Sequence, residues 1–218
     1  MNPKVSVYDA WVVYCDIFGF SAYVRENQIA TVTNKLHDGH SKIQQRFADK
    51  TDCVNIRVIS DSIFLIFKVA EKEERAKVLQ ECISDTQKIM ADFAGLKLPL
   101  RGSIAYGEVC IGENLLLGDV VLRAVHAEAM IPAPFVLLPK IEMEGLANTD
   151  IPNRVEKIPI KGDGLITAVL VHPMPVDSLL HLALEYIESY STKGPYALAK
   201  VWNDVLDYIN KIKYGDDN

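Results

Sequence analysis

The 218-residue sequence has few cysteines and histidines, and none of them forms a metal-binding motif. The four cysteines, Cys15, Cys53, Cys82 and Cys110, contain no C-x-x-C pair and have no histidine cluster beside them. Structural zinc sites are built from such clustered ligands, so the sequence argues against one. The spacing is typical of unpaired thiols in a reducing compartment.

Long positively charged runs and long apolar runs are also absent. The chain has 23 Lys and Arg against 29 Asp and Glu, a net charge of −6 and a pI of about 5.4. A protein without a positive field is a poor candidate for binding DNA. No stretch approaches the roughly 18 to 20 apolar residues of a membrane span, and the N-terminus lacks the apolar segment of a signal peptide. We therefore expect a cytoplasmic protein that binds neither DNA nor membranes.

The sequence does have a high apolar content, 49%, arranged in short periodic segments. Apolar runs or alternation predict strands, and apolar returns every three or four residues predict helices. Strands are predicted at 11–15, 54–59, 63–67, 100–105, 108–111 and 135–138, with two more within 155–171. Helices are predicted at 21–47 (with a loose middle at residues 38–40), 71–93, 118–130, 176–190 and 196–212.

This order of elements predicts the fold class and the domain organisation. Strand, helix, two strands, helix and strand is the order of a ferredoxin-like βαββαβ α+β sandwich. We expect that domain at residues 1–172 and a C-terminal helical extension at residues 173–218, after the proline-punctuated segment His172–Pro175.

Two aspartates stand where a strand gives way to a loop. Asp16 ends an apolar strand, and Asp61 lies in the turn of a predicted hairpin. Each alone also fits an ordinary structural role, Asp16 as a helix N-cap and Asp61 as a turn residue. Together, two carboxylates at neighbouring strand ends suit Mg²⁺ or Mn²⁺, which prefer oxygen ligands and often a substrate phosphate.

Four motifs, in order over roughly residues 8 to 172, resemble those of the class III nucleotidyl cyclases. Val13–Ser21 is similar to F-x-D-I-x-G-F-[ST], and Ser60–Phe67 to the hairpin motif G-D-x-x-L-x-x-F. Arg101–Val109 is similar to R-x-G-I-x-x-G-x-V, and Lys161–Leu165 to a worn K-G-K-G-x-L. The resemblance implies the ferredoxin-like catalytic domain of that family.

The resemblance also implies a site and a mechanism. Asp16 and Asp61 would hold two Mg²⁺ or Mn²⁺ ions, with the Ile17 carbonyl as a further ligand. The ions would lower the pKa of the ribose 3′-hydroxyl and bind the triphosphate in an in-line displacement. The backbone N–H groups of Phe18 and Gly19 would bind the phosphates.

Two departures affect the phosphate-binding end of the site. The family's G-x-x-V-N-x-x-x-R signature has Leu122 at the asparagine position and His126 at the arginine position. Arg123 lies one residue from the asparagine place and could supply the missing cation. The alternative is that Arg123 is an ordinary surface residue.

Two further departures affect the base. Arg57 stands four residues before Asp61, where adenylate cyclases of the family carry a lysine, and Leu115 replaces a residue that reads adenine. An arginine donates hydrogen bonds and accepts none, so it suits the carbonyl oxygens of uracil rather than the amino group of adenine. UTP is the preferred substrate on this interpretation and CTP is the alternative. A solvent-side ion pair is the structural alternative for Arg57.

In this family the site forms across a two-fold interface, which implies a homodimer with Asp16 and Asp61 from one subunit and Arg57 and Arg123 from the other. A bare domain with both aspartates and without the adenine-reading residues most resembles the pyrimidine cyclases of bacterial Pycsar antiphage systems. Those make cyclic UMP or cyclic CMP as a messenger for a separate effector protein. The remaining alternatives are a divergent adenylate or guanylate cyclase and an inactive cyclase-like domain that binds a nucleotide.

Overall fold

The computed structural model describes most of the chain at residue level. The described residues are 5–131, 133–147, 155–159, 161, 164–173, 177–193, 200, 202–207 and 210.

Among these residues, eight strands form a single sheet in the order β2-β3-β1-β4-β6-β8-β7, with β5 paired to β4 outside this path. The strands are β1 (Ser6–Ile17), β2 (Val54–Ile59), β3 (Ser62–Lys68), β4 (Leu100–Gly112), β5 (Leu115–Leu117), β6 (Val136–Pro139), β7 (Val155–Pro159) and β8 (Leu165–Val171). The helices are α1 (Phe20–Glu26), α2 (Ile29–Arg46), α3 (Arg75–Gly95), α4 (Asp119–Ala129) and α5 (Asp177–Lys193), and residues 202–207 are also helical.

The alternation of side chains along β1 divides the core into two layers. Trp11, Val13 and Cys15 pack into the core that β1 shares with α2 and α3. Val12 and Tyr14 face the opposite side, where α4 covers part of the sheet. Asp16 has the same parity as Tyr14 and therefore lies on the α4 side.

The strand order β2-β3-β1-β4 is that of a ferredoxin-like sandwich, and β6, β8 and β7 extend it. This arrangement confirms the predicted α+β fold class. The β2–β3 hairpin was also predicted correctly: its turn lies at residues 60–61, and Ser60 adopts a left-handed φ of 59°.

The prediction of two separate strands at 100–105 and 108–111 is wrong. The structure has a single strand, β4, that runs through Tyr106 and Gly107. Both residues are paired with the long strand β1, opposite Trp11 and Ala10. A continuous neighbouring strand supplies hydrogen-bond partners that outweigh the local turn preference of glycine.

The helix predicted over residues 21–47 is interrupted, but not at residues 38–40 as expected. The break lies at Asn27 and Gln28, between α1 and α2. Gly39 is inside α2, where a Cβ atom would come within 2.6 Å of the Phe93 ring. The glycine therefore permits close packing of α2 on α3 rather than ending a helix.

The C-terminal part packs on the sheet through its own apolar cluster. This cluster joins Leu182 and Ala183 of α5 and the side chains of Trp202 and Val205 to Leu137 in β6. Helix α5 agrees with the helix predicted at 176–190, whereas much of the helix predicted at 196–212 lies outside the described residues. The boundary at residue 172 stays a prediction.

None of the helices in the described part of the chain is both long and apolar enough to cross a lipid bilayer.

Candidate functional site

Asp16 and Asp61 lie beside each other at one end of the sheet. The antiparallel register places Asp16 of β1 opposite Ser62 of β3, and Asp61 is the residue immediately before Ser62. The two carboxyl groups are close enough for Asp61 to raise the pKa of Asp16. Asp16 is not a helix N-cap, since Gly19 occupies that position for α1. The structure therefore brings together the two residues that the sequence singled out.

The electrostatics of this pair favour a bound cation. Burial, the largest cause, and the nearby carboxyl groups of Asp61 and Glu128 together raise the pKa of Asp16 from 3.8 to about 7. A divalent cation between the carboxylates would offset this repulsion, and oxygen is the donor that Mg²⁺ and Mn²⁺ prefer.

The donor set fits such an ion only in part. Within the described ranges, no cluster of three or more Asp, Glu, His or Cys side chains is arranged to hold a metal. Two carboxylates suit Mg²⁺ when carbonyl, water or substrate oxygens complete the shell. Ile17, the predicted carbonyl ligand, is the last residue of β1 and is buried.

Arg101 is the cation nearest to Asp16 along the sheet. It is the register partner of Asp16 on β4 and forms an ion pair with Glu128, near the end of α4. Glu128 is only 6% exposed. The positive charge of Arg101 opposes the rise in the Asp16 pKa. The charge of Arg101 therefore offsets part of the repulsion between Asp16 and Glu128.

Lys161 adds a second positive charge to this end of the sheet. Its ammonium group donates to the Ala129 carbonyl at 2.8 Å, at the end of α4. Burial lowers the pKa of Lys161, and the nearby charge of Arg101 lowers it further. Two cations close together beside a carboxylate pair are suited to a polyanion such as a triphosphate.

The turn after β1 differs from the expectation in one respect. The Phe18 amide donates to the Pro99 carbonyl at 2.8 Å, so it is already bonded in this structure. Gly19 has a φ of 77°, a left-handed conformation that a side chain would strain, and a Cβ there would contact nothing within 4 Å. Of the two amides predicted to bind phosphate, the Gly19 amide donates no backbone hydrogen bond among the described contacts.

Arg57 lies on the same face of the sheet as Asp16. It is opposite Phe64, which is opposite Tyr14, so the three side chains share a face. Its Nη2 donates to the Gly112 carbonyl at 2.6 Å. Its Nε is buried without a hydrogen-bond partner among the described residues, as is the hydroxyl of Tyr8, whose pKa is raised by burial and lowered by Arg57.

Arg123 has partners that tie it to its own subunit. Its Nε donates to Glu142 Oε1 at 2.9 Å, and its Nη2 donates to the Tyr106 carbonyl at 2.7 Å. It also forms an ion pair with Asp119, one turn earlier on α4. Glu142 is 7% exposed and also accepts from the Tyr106 amide at 3.0 Å. These contacts give Arg123 a structural function at the edge of β4, and its catalytic role stays a prediction.

Leu122 and His126, the two residues of α4 that differ from the family signature, face outward. Leu122 is 69% exposed, and His126 is exposed on the same helix. Neither has a polar contact with the Asp16–Asp61 pair among the described contacts.

Several residues that interact with the predicted site residues are not themselves among those predicted from the sequence. Arg101 and Lys161 lay within quoted motifs, and alternation along paired strands could have placed Arg101 beside Asp16. Glu128 and Tyr8 have no local signal in the sequence, because Glu128 meets Arg101 only when α4 packs on the sheet and Tyr8 meets Arg57 only when β1 and β2 join the same sheet.

Comparison with known proteins finds similar structures but no matching family model or curated sequence. No family model matches the chain, and no curated protein matches it. The guanylyl cyclase Cya2 matches with a TM-score of 0.56 at 16% identity, over 79% of this chain and 95% of that one. The adenylyl cyclase CyaB from P. aeruginosa matches with a TM-score of 0.54 at 16% identity, over 77% and 95%.

A third match is the guanylate cyclase domain of RhGC from Catenaria anguillulae in complex with GTP, with a TM-score of 0.54 at 16% identity, over 77% of this chain and 98% of that one. At these identities the likeness establishes the fold. The chain has the fold of the class III adenylyl and guanylyl cyclase catalytic domains.

Proposed function

We propose that this chain is a nucleotide cyclase that converts a ribonucleoside triphosphate, preferably UTP, to the 3′,5′-cyclic nucleotide and pyrophosphate. The observation that carries the proposal is the Asp16–Asp61 pair, at the end of paired strands in a cyclase-type fold, with burial and the second carboxylate raising the pKa of Asp16 to about 7. A carboxylate pair under this repulsion is suited to divalent cations.

The proposed cofactor is Mg²⁺ or Mn²⁺, with two ions per site held by Asp16, Asp61 and the Ile17 carbonyl. When bound, the ions supply Lewis acidity that lowers the pKa of the ribose 3′-hydroxyl and neutralises charge on the leaving pyrophosphate.

The bond changes balance without any further reactant. The ribose 3′-oxygen forms a bond to the α-phosphorus, the bond from that phosphorus to the oxygen bridging the β-phosphate breaks, and the hydroxyl proton is released to solvent. The protein residues orient the triphosphate. Arg101 supplies the positive charge next to Asp16, Lys161 adds a second charge near Arg101, and the Gly19 amide supplies a further donor.

The uracil preference rests on Arg57. Its buried Nε and the buried Tyr8 hydroxyl lack partners among the described residues, and buried polar groups in folded proteins are normally satisfied. A base with carbonyl oxygens at its edge would accept from Arg57. Cytosine shares one carbonyl oxygen with uracil, so CTP is the alternative substrate.

The active form in this proposal is a homodimer with shared sites. Apolar side chains are exposed on α4 and β5, beside the sheet face that carries Asp16 and Arg57: Leu115 (41% exposed), Leu117 (61%), Leu122 (69%) and Val125 (37%). A second copy that covers this surface would remove it from water and bring Arg57 of one subunit toward Asp16 of the other.

The proposed biological role of the protein is to produce a cyclic nucleotide messenger in antiphage defence, which a separate effector protein binds. This part rests on the motif resemblance to the Pycsar pyrimidine cyclases and on Arg57 in place of the adenine-reading lysine.

The test is incubation of the purified protein with Mn²⁺ and each of ATP, GTP, CTP and UTP, with mass-spectrometric identification of the product and parallel measurement of pyrophosphate. Cyclic UMP as the main product is expected. Preference for CTP would select the cytidylate alternative, and preference for ATP or GTP would refute the pyrimidine assignment.

One specific observation favours an inactive nucleotide-binding domain instead. Leu122 and His126 replace the family's asparagine and arginine, and Arg123 is held by Glu142. Such a domain would bind a triphosphate, detected by calorimetry, and release no pyrophosphate with any of the four substrates.

A further inference from the structure

Phe18 connects the carboxylate pair to the C-terminal part of the chain. It lies two residues after Asp16, at the start of the turn into α1. Its ring is 5.5 Å from the guanidinium carbon of Arg101, the register partner of Asp16. A displacement of Phe18 would therefore disturb both the turn that follows Asp16 and the cation beside it.

The Phe18 ring also contacts Trp202. The two rings meet edge to face, with centroids 6.0 Å apart and planes at 81°. Trp202 is 2% exposed and stacks on Tyr186 of α5, with centroids 4.9 Å apart and planes at 22°. The charge distribution of aromatic rings favours stacked and edge-to-face pairs beyond the burial of apolar area. These contacts therefore fix the orientation of the Phe18 ring.

The C-terminal part also contacts the backbone segment that fixes Phe18. The Phe18 amide donates to Pro99, and Lys97 lies two residues before Pro99. The Tyr186 hydroxyl donates to the Lys97 carbonyl at 3.3 Å, and Glu185 forms an ion pair with the Lys97 side chain. Two separate sets of contacts from the C-terminal part thus converge on Phe18, one on its ring and one on the segment that accepts its amide.

A cavity of about 50 Å³ lies at this junction, bordered by Phe18, Gly19, Lys97, Tyr186 and Trp202 among others. Packed protein interiors have few voids larger than a water molecule, so this space gives the Phe18 ring room to shift when one of its contacts is removed. Phe18 is therefore held in place by its contacts and not by close packing on every side.

We propose that Trp202 is a positioning residue for the carboxylate pair, which it reaches through Phe18, so that the C-terminal helices set the affinity of Asp16 and Asp61 for divalent cations. This inference rests on the proposed function of the pair. Residues that support metal ligands commonly change metal affinity by about 10- to 100-fold when they are altered.

The test compares Trp202→Leu with Val205→Ala in the full chain. Val205 is fully buried in the same apolar cluster, and its ring-free side chain has no aromatic contact with Phe18. Mn²⁺ binding is measured directly by calorimetry or electron paramagnetic resonance, at a temperature well below each variant's Tm, and turnover is measured as a function of Mn²⁺ concentration.

Trp202→Leu is expected to weaken Mn²⁺ binding roughly tenfold, whereas Val205→Ala retains the wild-type affinity and Trp202→Phe recovers most of it. Equal affinities in Trp202→Leu and wild type, or equal losses in Trp202→Leu and Val205→Ala, would overturn the proposal. If the wild-type protein binds Mn²⁺ but forms no cyclic product, the proposed function fails while the Trp202 effect on Mn²⁺ binding still decides this inference.

Discussion

Arg57 donates a hydrogen bond of 2.6 Å to the carbonyl of Gly112, and Gly112 is the register partner of Leu115. The two positions at which this chain departs from the adenine-reading pattern are thus connected in space, although they are far apart in sequence. Substitutions at Arg57 therefore affect both a candidate base contact and the β4–β5 hairpin.

Arg57→Ala is expected to reduce kcat/KM for the preferred pyrimidine triphosphate roughly 10- to 100-fold, since a hydrogen bond to a charged group contributes about 1.5–3 kcal/mol. The other triphosphates should lose much less. Arg57→Lys is the matched control, because it keeps the charge and loses the planar fork. Steady-state kinetics with all four triphosphates checks this, and an equal loss for all four would show that Arg57 serves the phosphates or the hairpin.

Asp16→Ala and Asp61→Ala are each expected to abolish turnover while leaving the protein folded. Both residues lie at one end of the sheet, and removal of one carboxylate relieves the repulsion that, together with burial, raises the Asp16 pKa. The Tm without metal should therefore stay the same or rise. Asp38→Ala, at an exposed position on α2, is the control and should retain activity. Substantial activity in either site variant would contradict the assignment of the pair.

A mixture of Asp16→Ala and Arg57→Ala chains is expected to be more active than either variant alone. If sites are shared, a mixed dimer contains one site with both substitutions and one with neither. Subunit exchange is verified with differently tagged chains, and pyrophosphate release is measured before and after mixing. Exchange without recovery would mean that each site is built within one subunit.

The stability of the metal-free protein should decrease as the pH rises toward 7. The folded-state pKa of Asp16 is about 7, above the ordinary value of 3.8, so the folded protein binds this proton more tightly than the unfolded chain does. Stability from the protonated form is therefore lost between these two values as pH increases. Thermal unfolding in a chelator from pH 4.5 to 8 should show a steeper decline for wild type than for Asp16→Asn. Parallel curves would contradict the raised pKa.

Arg123→Ala is expected to lower the free energy of unfolding by roughly 1–3 kcal/mol, because it leaves the buried Glu142 carboxylate with fewer donors. The Glu142→Gln substitution should reduce that loss when the two are combined. Denaturant unfolding of the single and double variants measures the coupling. Normal stability together with lost turnover in Arg123→Ala would instead support the catalytic role.

The fold and the carboxylate pair could be predicted because their signals are local. Asp16 ends an apolar run and Asp61 lies in a hairpin turn, so hydrophobic pattern and turn chemistry located both. The continuity of β4 could not be predicted, since the Tyr106–Gly107 step is held straight by β1, a distant part of the chain. The Glu128–Arg101 and Trp202–Phe18 contacts likewise depend on how α4 and the C-terminal helices pack, which no short window of sequence contains.

Strand β1 has a consequence for the order in which the protein can form. Asp16 is held between Ser62 on one side and Arg101 on the other, and both partners are synthesised long after it. Pairings between such distant segments give a high contact order, which slows folding. During synthesis on the ribosome, the Asp16 carboxylate therefore has no fixed position until β4 has emerged and paired with β1. A fragment that ends before β4 contains Asp16 and Asp61 without containing the site.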